Sequence, residues 1–118
     1  MIGDVRRVQV DDVNVAEAWE RETDDEGVRG VGADLIGFAG GWNVTVSVME
    51  FIREGPLEGE LRRRIAAALR SVEGVETAEE MDREVWFVTG APAGEALVRA
   101  VARVVDDLAD RTRPYVHG

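Results

Sequence analysis

The sequence predicts an α+β fold, and three patterns carry that expectation. Val44, Val46 and Val48 alternate with Thr45 and Ser47, the period-two mark of a half-buried strand. Leu57, Leu61, Ile65, Ala68, Leu69 and Val72 recur every three or four residues, as do Leu97, Val98, Val101, Val104, Val105 and Leu108, so each set forms one apolar helical face. Between the two helices, Glu84-Val-Trp-Phe-Val-Thr89 is a short run of strand-forming residues. From Trp42 onward the order reads strand, helix, strand, strand, helix, short strand. That order specifies a ferredoxin-like βαββαβ plait, a single sheet with both helices on one side.

Each element has a local cause. The first plait strand is placed at about 43–51, with Met49 and Phe51 continuing the side of Thr45 and Ser47. Gly55-Pro56 ends it, and Pro suits the first position of the following helix. Within that helix Glu58/Arg62 and Glu60/Arg64 stand four apart in the favourable order. Gly74 stops it as a left-handed cap. Val75 to Glu80 carries several charges, which suits an edge strand. Met81-Asp82-Arg83 is read as the tight connection to a second central strand at 84–89, whose four consecutive apolar residues imply cover on both faces. After Gly90-Ala91-Pro92 the second helix is expected at about 93–110. Arg113-Pro-Tyr-Val-His117 is the expected fourth strand, at an edge where Pro114 is tolerated.

Residues 1–41 differ in character and are read as an N-terminal extension adding one or two strands, with the plait occupying 42–118. Val5, Val8, Val10, Val13 and Val15 suggest an extended segment around Arg6–Val13, and a short helical turn carrying Trp19 is expected at Ala16–Glu22. Glu20 to Glu26 is a charge run of the kind that forms solvated loops. Gly27 to Gly41 holds six glycines among fifteen residues, so a mobile loop or an irregular edge strand is expected.

From Gly74-Val75 to Val105 the chain resembles the second half of heavy-metal-associated domains. Those share a helix ending in Gly-Val, a hairpin, and a helix with the pattern seen here as Ala96-Leu-Val-Arg-Ala-Val101. The resemblance implies the plait fold. It does not extend to metal binding, because Arg53-Glu-Gly-Pro-Leu57, where the family's metal loop falls, lacks the two cysteines.

Composition narrows the function. The chain has no cysteine and a single histidine, His117, so thiolate chemistry is excluded and a zinc cluster has no ligand set. His117 stands next to the last residue and is read as surface rather than catalytic. Asp24, Asp25 and Glu26 do not match calcium-loop spacing, and Gly30-Val-Gly32 is followed by Leu35 where a dinucleotide loop needs glycine. Arg62-Arg63-Arg64 is offset by Glu58 and Glu60. No catalytic residue, metal or cofactor is therefore expected. A net charge of -10 disfavours nucleic acid and anionic membranes as partners. No apolar run approaches a membrane span or a secretory leader, which makes a cytoplasmic location the expectation.

The aromatic residues carry the functional reading. A sheet shielded on one side by two helices leaves its other side open, and the strand periodicity assigns Met49, Phe51, Trp86 and Val88 to that open face, with Val85 and Phe87 as the other parity for their strand. Three covers are consistent with an apolar open face: residues 1–41, a second copy of the chain, or a small molecule. The expectation is a non-catalytic binding or assembly module acting through this face, as a homodimer or with a protein partner. The alternative is a sensor or enzyme of the dimeric α+β-barrel kind, with a cavity lined by Trp86, Phe51 and Asn43 or Tyr115.

Overall fold

The computed structural model describes residues 5–21, 32–48, 57–82 and 84–117, with side-chain environments through Leu108. It is an α+β architecture. Six strands, β1 (Val5–Arg7), β2 (Glu17–Arg21), β3 (Gly32–Phe38), β4 (Gly41–Ser47), β5 (Val75–Asp82) and β6 (Val85–Gly90), form one antiparallel sheet in the order β1-β2-β3-β4-β6-β5. Two helices, α1 (Glu58–Ser71) and α2 (Gly94–His117), pack against each other and against the same side of the sheet.

The N-terminal region thus adds three strands, not one or two, and adds them edge to edge. The pairings run β1 to β2, β2 to β3, and β3 to β4 along seven residue pairs from Gly32↔Ser47 to Phe38↔Gly41. The helical turn expected at 16–22 is instead β2. Glu17, Trp19 and Arg21 point one way and Ala18 and Glu20 the other, and a strand on each side satisfies the backbone of this short segment. The glycine-rich stretch gives a regular interior strand where it is described. Ala33, Leu35 and Gly37 are buried, while Asp34, Ile36 and Phe38 alternate with them outward.

Two further expectations are corrected. The segment 113–117 is the end of α2 and not a fourth strand, and the place beside β4 belongs to β3. β5 extends through Asp82 rather than ending at Glu80, and Glu84, at φ 66°, is the turn residue before β6. The edge position of β5, the interior position of β6 and both helices agree with the sequence reading.

The core follows from register. Leu35↔Val44↔Trp86 and Gly37↔Trp42↔Val88 form cross-strand rows, and Ala78 lies beside Val88. Together with Ala33, Val46 and Val48, these residues meet Leu61, Ile65, Ala66 and Leu69 of α1 and Leu97, Val98, Val101, Val105 and Leu108 of α2 in one cluster. α1 carries Glu58 and Glu60 in its first turn and Arg70 in its last, the order that suits the helix dipole. Its chain leaves through extended Val72 and left-handed Gly74 (φ 95°). Near the start of α2, Gly94 exists for space. A Cβ there would stand 2.5 Å from the Trp19 ring and 2.6 Å from the Trp42 ring.

One charge pair is built into this core. Arg21 reaches from β2 to Asp106 on α2, with 2.8 Å between Nη2 and Oδ2, and both residues are buried. Among the described residues no helix is long and apolar enough to cross a membrane.

Candidate binding face of the sheet

The residues not used by the core define the sheet's other face. In a strand alternate side chains point to opposite sides. With Trp42, Val44, Val46 and Val48 turned to the helices, Asn43, Thr45 and Ser47 of β4 face away. Their neighbours on that side are Asp34, Ile36 and Phe38 of β3 and Val85 and Phe87 of β6, fixed by Asp34↔Thr45↔Val85 and Ile36↔Asn43↔Phe87. Ala18 and Glu20 of β2, Arg6 of β1, and Thr77, Glu79 and Asp82 of β5 lie on the same side.

This geometry corrects the sequence assignment. Trp86 and Val88 lie beneath the helices, 4% and 0% exposed, because Trp86 pairs with Val44 and Val88 with Trp42. The parity of β6 is the reverse of the one assigned, so Val85 and Phe87 reach the open side. Met49 and Phe51 lie outside the described residues. The residues expected around a small-molecule cavity at Trp86 do not share one face among the described residues. Trp86 and Asn43 point to opposite faces, and among the described residues the void where Trp86 meets Val46, Val48, Leu61 and Ile65 is about 20 Å³, room for roughly one water. Tyr115 is within α2.

The open face has relief. Ile36 and Phe38, each 36% exposed, form an apolar ridge on β3, and half-buried Val85 and Phe87 form a second ridge on β6. Between them β4 offers only Gly41, Asn43 and Thr45. Gly41 is required there: a Cβ would stand 2.5 Å from the Val88 carbonyl oxygen and 2.8 Å from Phe87 Cζ, so the Phe87 ring lies across it. On β5 and β6 the Thr77 and Thr89 hydroxyls are hydrogen-bonded to each other.

Charge is concentrated at one corner. Glu20 and Asp34 stand directly opposite each other on β2 and β3. Arg6 of β1 donates to Glu20. Burial first, and the facing Glu20 carboxylate second, raise the Asp34 carboxyl above its ordinary value. The arginines of Arg62-Arg63-Arg64 are exposed on α1, where Arg62 meets Glu58 and Glu80, and Arg64 meets Glu60 and Asp107. No group of three or more potential metal ligands occurs among the described residues. The β1–β2 hairpin and its loop line an open hollow of about 650 Å³.

The face was hidden from sequence reasoning for a specific reason. Ile36 and Phe38 sit in the glycine-rich stretch, where Gly32 and Gly37 obscure the period-two signal of Ala33, Leu35 and their outward neighbours. Compared with known proteins, the chain matches no family model, no curated protein and no solved structure.

Proposed function

We propose that this protein is a binding or assembly module that acts through the open face of its sheet. The observation that carries the proposal is the pair of apolar ridges, Ile36/Phe38 and Val85/Phe87, on the side away from both helices. The core needs none of these four side chains, since it is filled from the other parity of the same strands. Contiguous apolar surface on a folded domain marks an interaction site more often than single exposed residues do. A second copy of the chain, stacked about a twofold axis, is one occupant such a face admits. The order β4-α1-β5-β6-α2 supports reading the C-terminal part as a ferredoxin-like plait in which β3 stands in for the fourth strand.

The test uses the uncharged apolar dye Nile red and two variants, Phe38→Ser and Ile36→Thr. Both positions are more than a third exposed, so the fold should tolerate the changes. Dye binding to the native protein should fall several-fold in each variant with the melting temperature nearly unchanged. Any concentration-dependent increase in sedimenting mass should fall with it. Dye binding and mass that are the same in wild type and both variants would refute this use of the face.

A further inference from the structure

We infer that α1 closes the β5 edge of the sheet against strand addition, and that the hydrogen bond from Arg70 to the Ala78 carbonyl is the contact that closes it. The class of ligand kept out is an extended peptide segment, which joins an exposed sheet edge through main-chain hydrogen bonds. The inference concerns this edge alone and stands apart from the open-face reading.

Backbone direction is the first argument. β5 is an edge strand of eight residues, paired on its β6 side. In an antiparallel ladder, hydrogen-bonded residue pairs alternate with non-bonded ones, so successive residues turn their N–H and C=O groups to opposite sides of the strand. The Val46 N–H donates to the Glu84 carbonyl, in the register that continues through Val44↔Trp86 and Trp42↔Val88. Trp86 and Val88 therefore bond to β4, and Phe87 and Thr89 bond to Glu79 and Thr77 of β5. Ala78 and Glu80 then turn their backbone groups away from the sheet. An incoming strand pairs with groups of this kind.

Cover is the second argument. Arg70 of α1 donates from Nη2 to the Ala78 carbonyl oxygen at 2.8 Å. About two turns earlier on α1, Arg62 Nε stands 3.4 Å from Glu80 Oε2. Register shifts at Val75/Thr77 and Glu80/Asp82 confine the regular ladder to Thr77–Glu80, so Ala78 and Glu80 supply its outward carbonyls. A strand that used the Ala78 carbonyl would have to displace the guanidinium. β5 also carries Glu76, Glu79, Glu80 and Asp82 and no base, so a second β5 laid beside it meets like charges. The opposite edge strand, β1, is three residues long, and short edges are themselves a protection.

The experiment titrates the ¹⁵N-labelled full chain with an end-blocked, uncharged seven-residue Thr/Val/Gln peptide and records amide spectra. It compares the wild type with Arg70→Met, Arg70→Lys and Arg63→Met. Arg63 and Arg70 are exposed, so all three variants should melt close to the wild type. Arg70→Met keeps much of the side-chain stem and loses the donors. It should bind the peptide about tenfold more tightly than the wild type, the scale of one hydrogen bond from a charged donor, with shifts at the Ala78 and Glu80 amides. Arg70→Lys retains a charged donor, and Arg63→Met removes the same charge elsewhere on α1. Both should bind as weakly as the wild type. Equal binding by the wild type and Arg70→Met, including none by either, would overturn the inference. So would tight binding by Arg70→Lys or Arg63→Met, or shifts in Arg70→Met confined to other surfaces.

Discussion

Replacing Asp106 by Ala should destabilise this domain more than any surface change in it, and the size of the effect follows from burial. The Arg21 and Asp106 side chains are 4% and 7% exposed, and their charged atoms are 2.8 Å apart. Two unit charges about 4 Å apart at an effective dielectric of 20 attract by about 4 kcal/mol. Most of that offsets the loss of water around both ions, so the net worth of the intact pair is small. Removing one partner is different. Asp106→Ala takes this carboxylate away from a buried guanidinium that cannot lose its proton, and breaking a buried pair from one side costs about 3–5 kcal/mol. A domain of this size has roughly 5–15 kcal/mol in total.

Urea unfolding followed by tryptophan fluorescence reads this directly. With a denaturant slope of about 2 kcal/mol/M, the midpoint of Asp106→Ala should fall by roughly 1.5–2.5 M. Glu95→Ala, which removes an exposed pair with Arg99, should shift stability by about 0.5 kcal/mol or less. The double variant Arg21→Met/Asp106→Leu replaces the pair by apolar volume and should recover most or all of the loss, since such replacements are often neutral or stabilising. A cost below about 1 kcal/mol for Asp106→Ala would refute the reasoning. So would a double variant as unstable as the single one, because the loss would then lie in packing rather than in the charge pair.

Gly94→Ala should cost about 1–3 kcal/mol and alter tryptophan emission, because its methyl group would press on the Trp19 and Trp42 rings at 2.5–2.6 Å; thermal melts with emission spectra check it. Trp86→Ala should cost about 3–5 kcal/mol, whereas Phe87→Ala, one residue away on the half-exposed side, should cost clearly less; paired chemical denaturation curves decide between them. For Asp34 the folded carboxyl titrates above its unfolded value, so its contribution to stability is fully present below the unfolded value and is lost as pH rises through the folded one. Asp34→Asn should therefore hold or raise stability at neutral pH, and Glu20→Gln should lower the Asp34 titration midpoint seen by carboxyl NMR; an unmoved midpoint would place the cause in burial alone.

How much of this fold was legible in the sequence depends on which signal each segment carried. The two helices were readable because their apolar residues recur at helical spacing over three or more turns, and no competing period interrupts them. β4 was readable because Val44, Val46 and Val48 alternate with polar residues. β2 was misread as helical because five residues hold too little pattern, and its pairing with β1 and β3, not its own propensity, makes it a strand. The end of α2 was misread because the plait order called for a fourth strand, at an edge that tolerates Pro114, while the site beside β4 was already taken by β3. The Arg21–Asp106 pair was invisible because its members are 85 residues apart and nothing local links them.

The candidate site turned on a single parity, and that parity could not be read from β6 alone. Residues 85–88 are apolar on both sides, so either Trp86/Val88 or Val85/Phe87 satisfies the local pattern. A shift of one residue in pairing exchanges the two faces completely. The choice is made by the partner strand. Once Val44 faces the helices, Val44↔Trp86 places Trp86 there too, and Phe87 must lie opposite beside Asn43. Gly41 then completes the arrangement, because a Cβ there would collide with the Val88 carbonyl oxygen of the neighbouring strand and with the Phe87 ring over β4. The open face is therefore set by the same register that builds the core. A substitution that slips β6 by one residue would expose Trp86 and bury Phe87, losing the core and the binding face together.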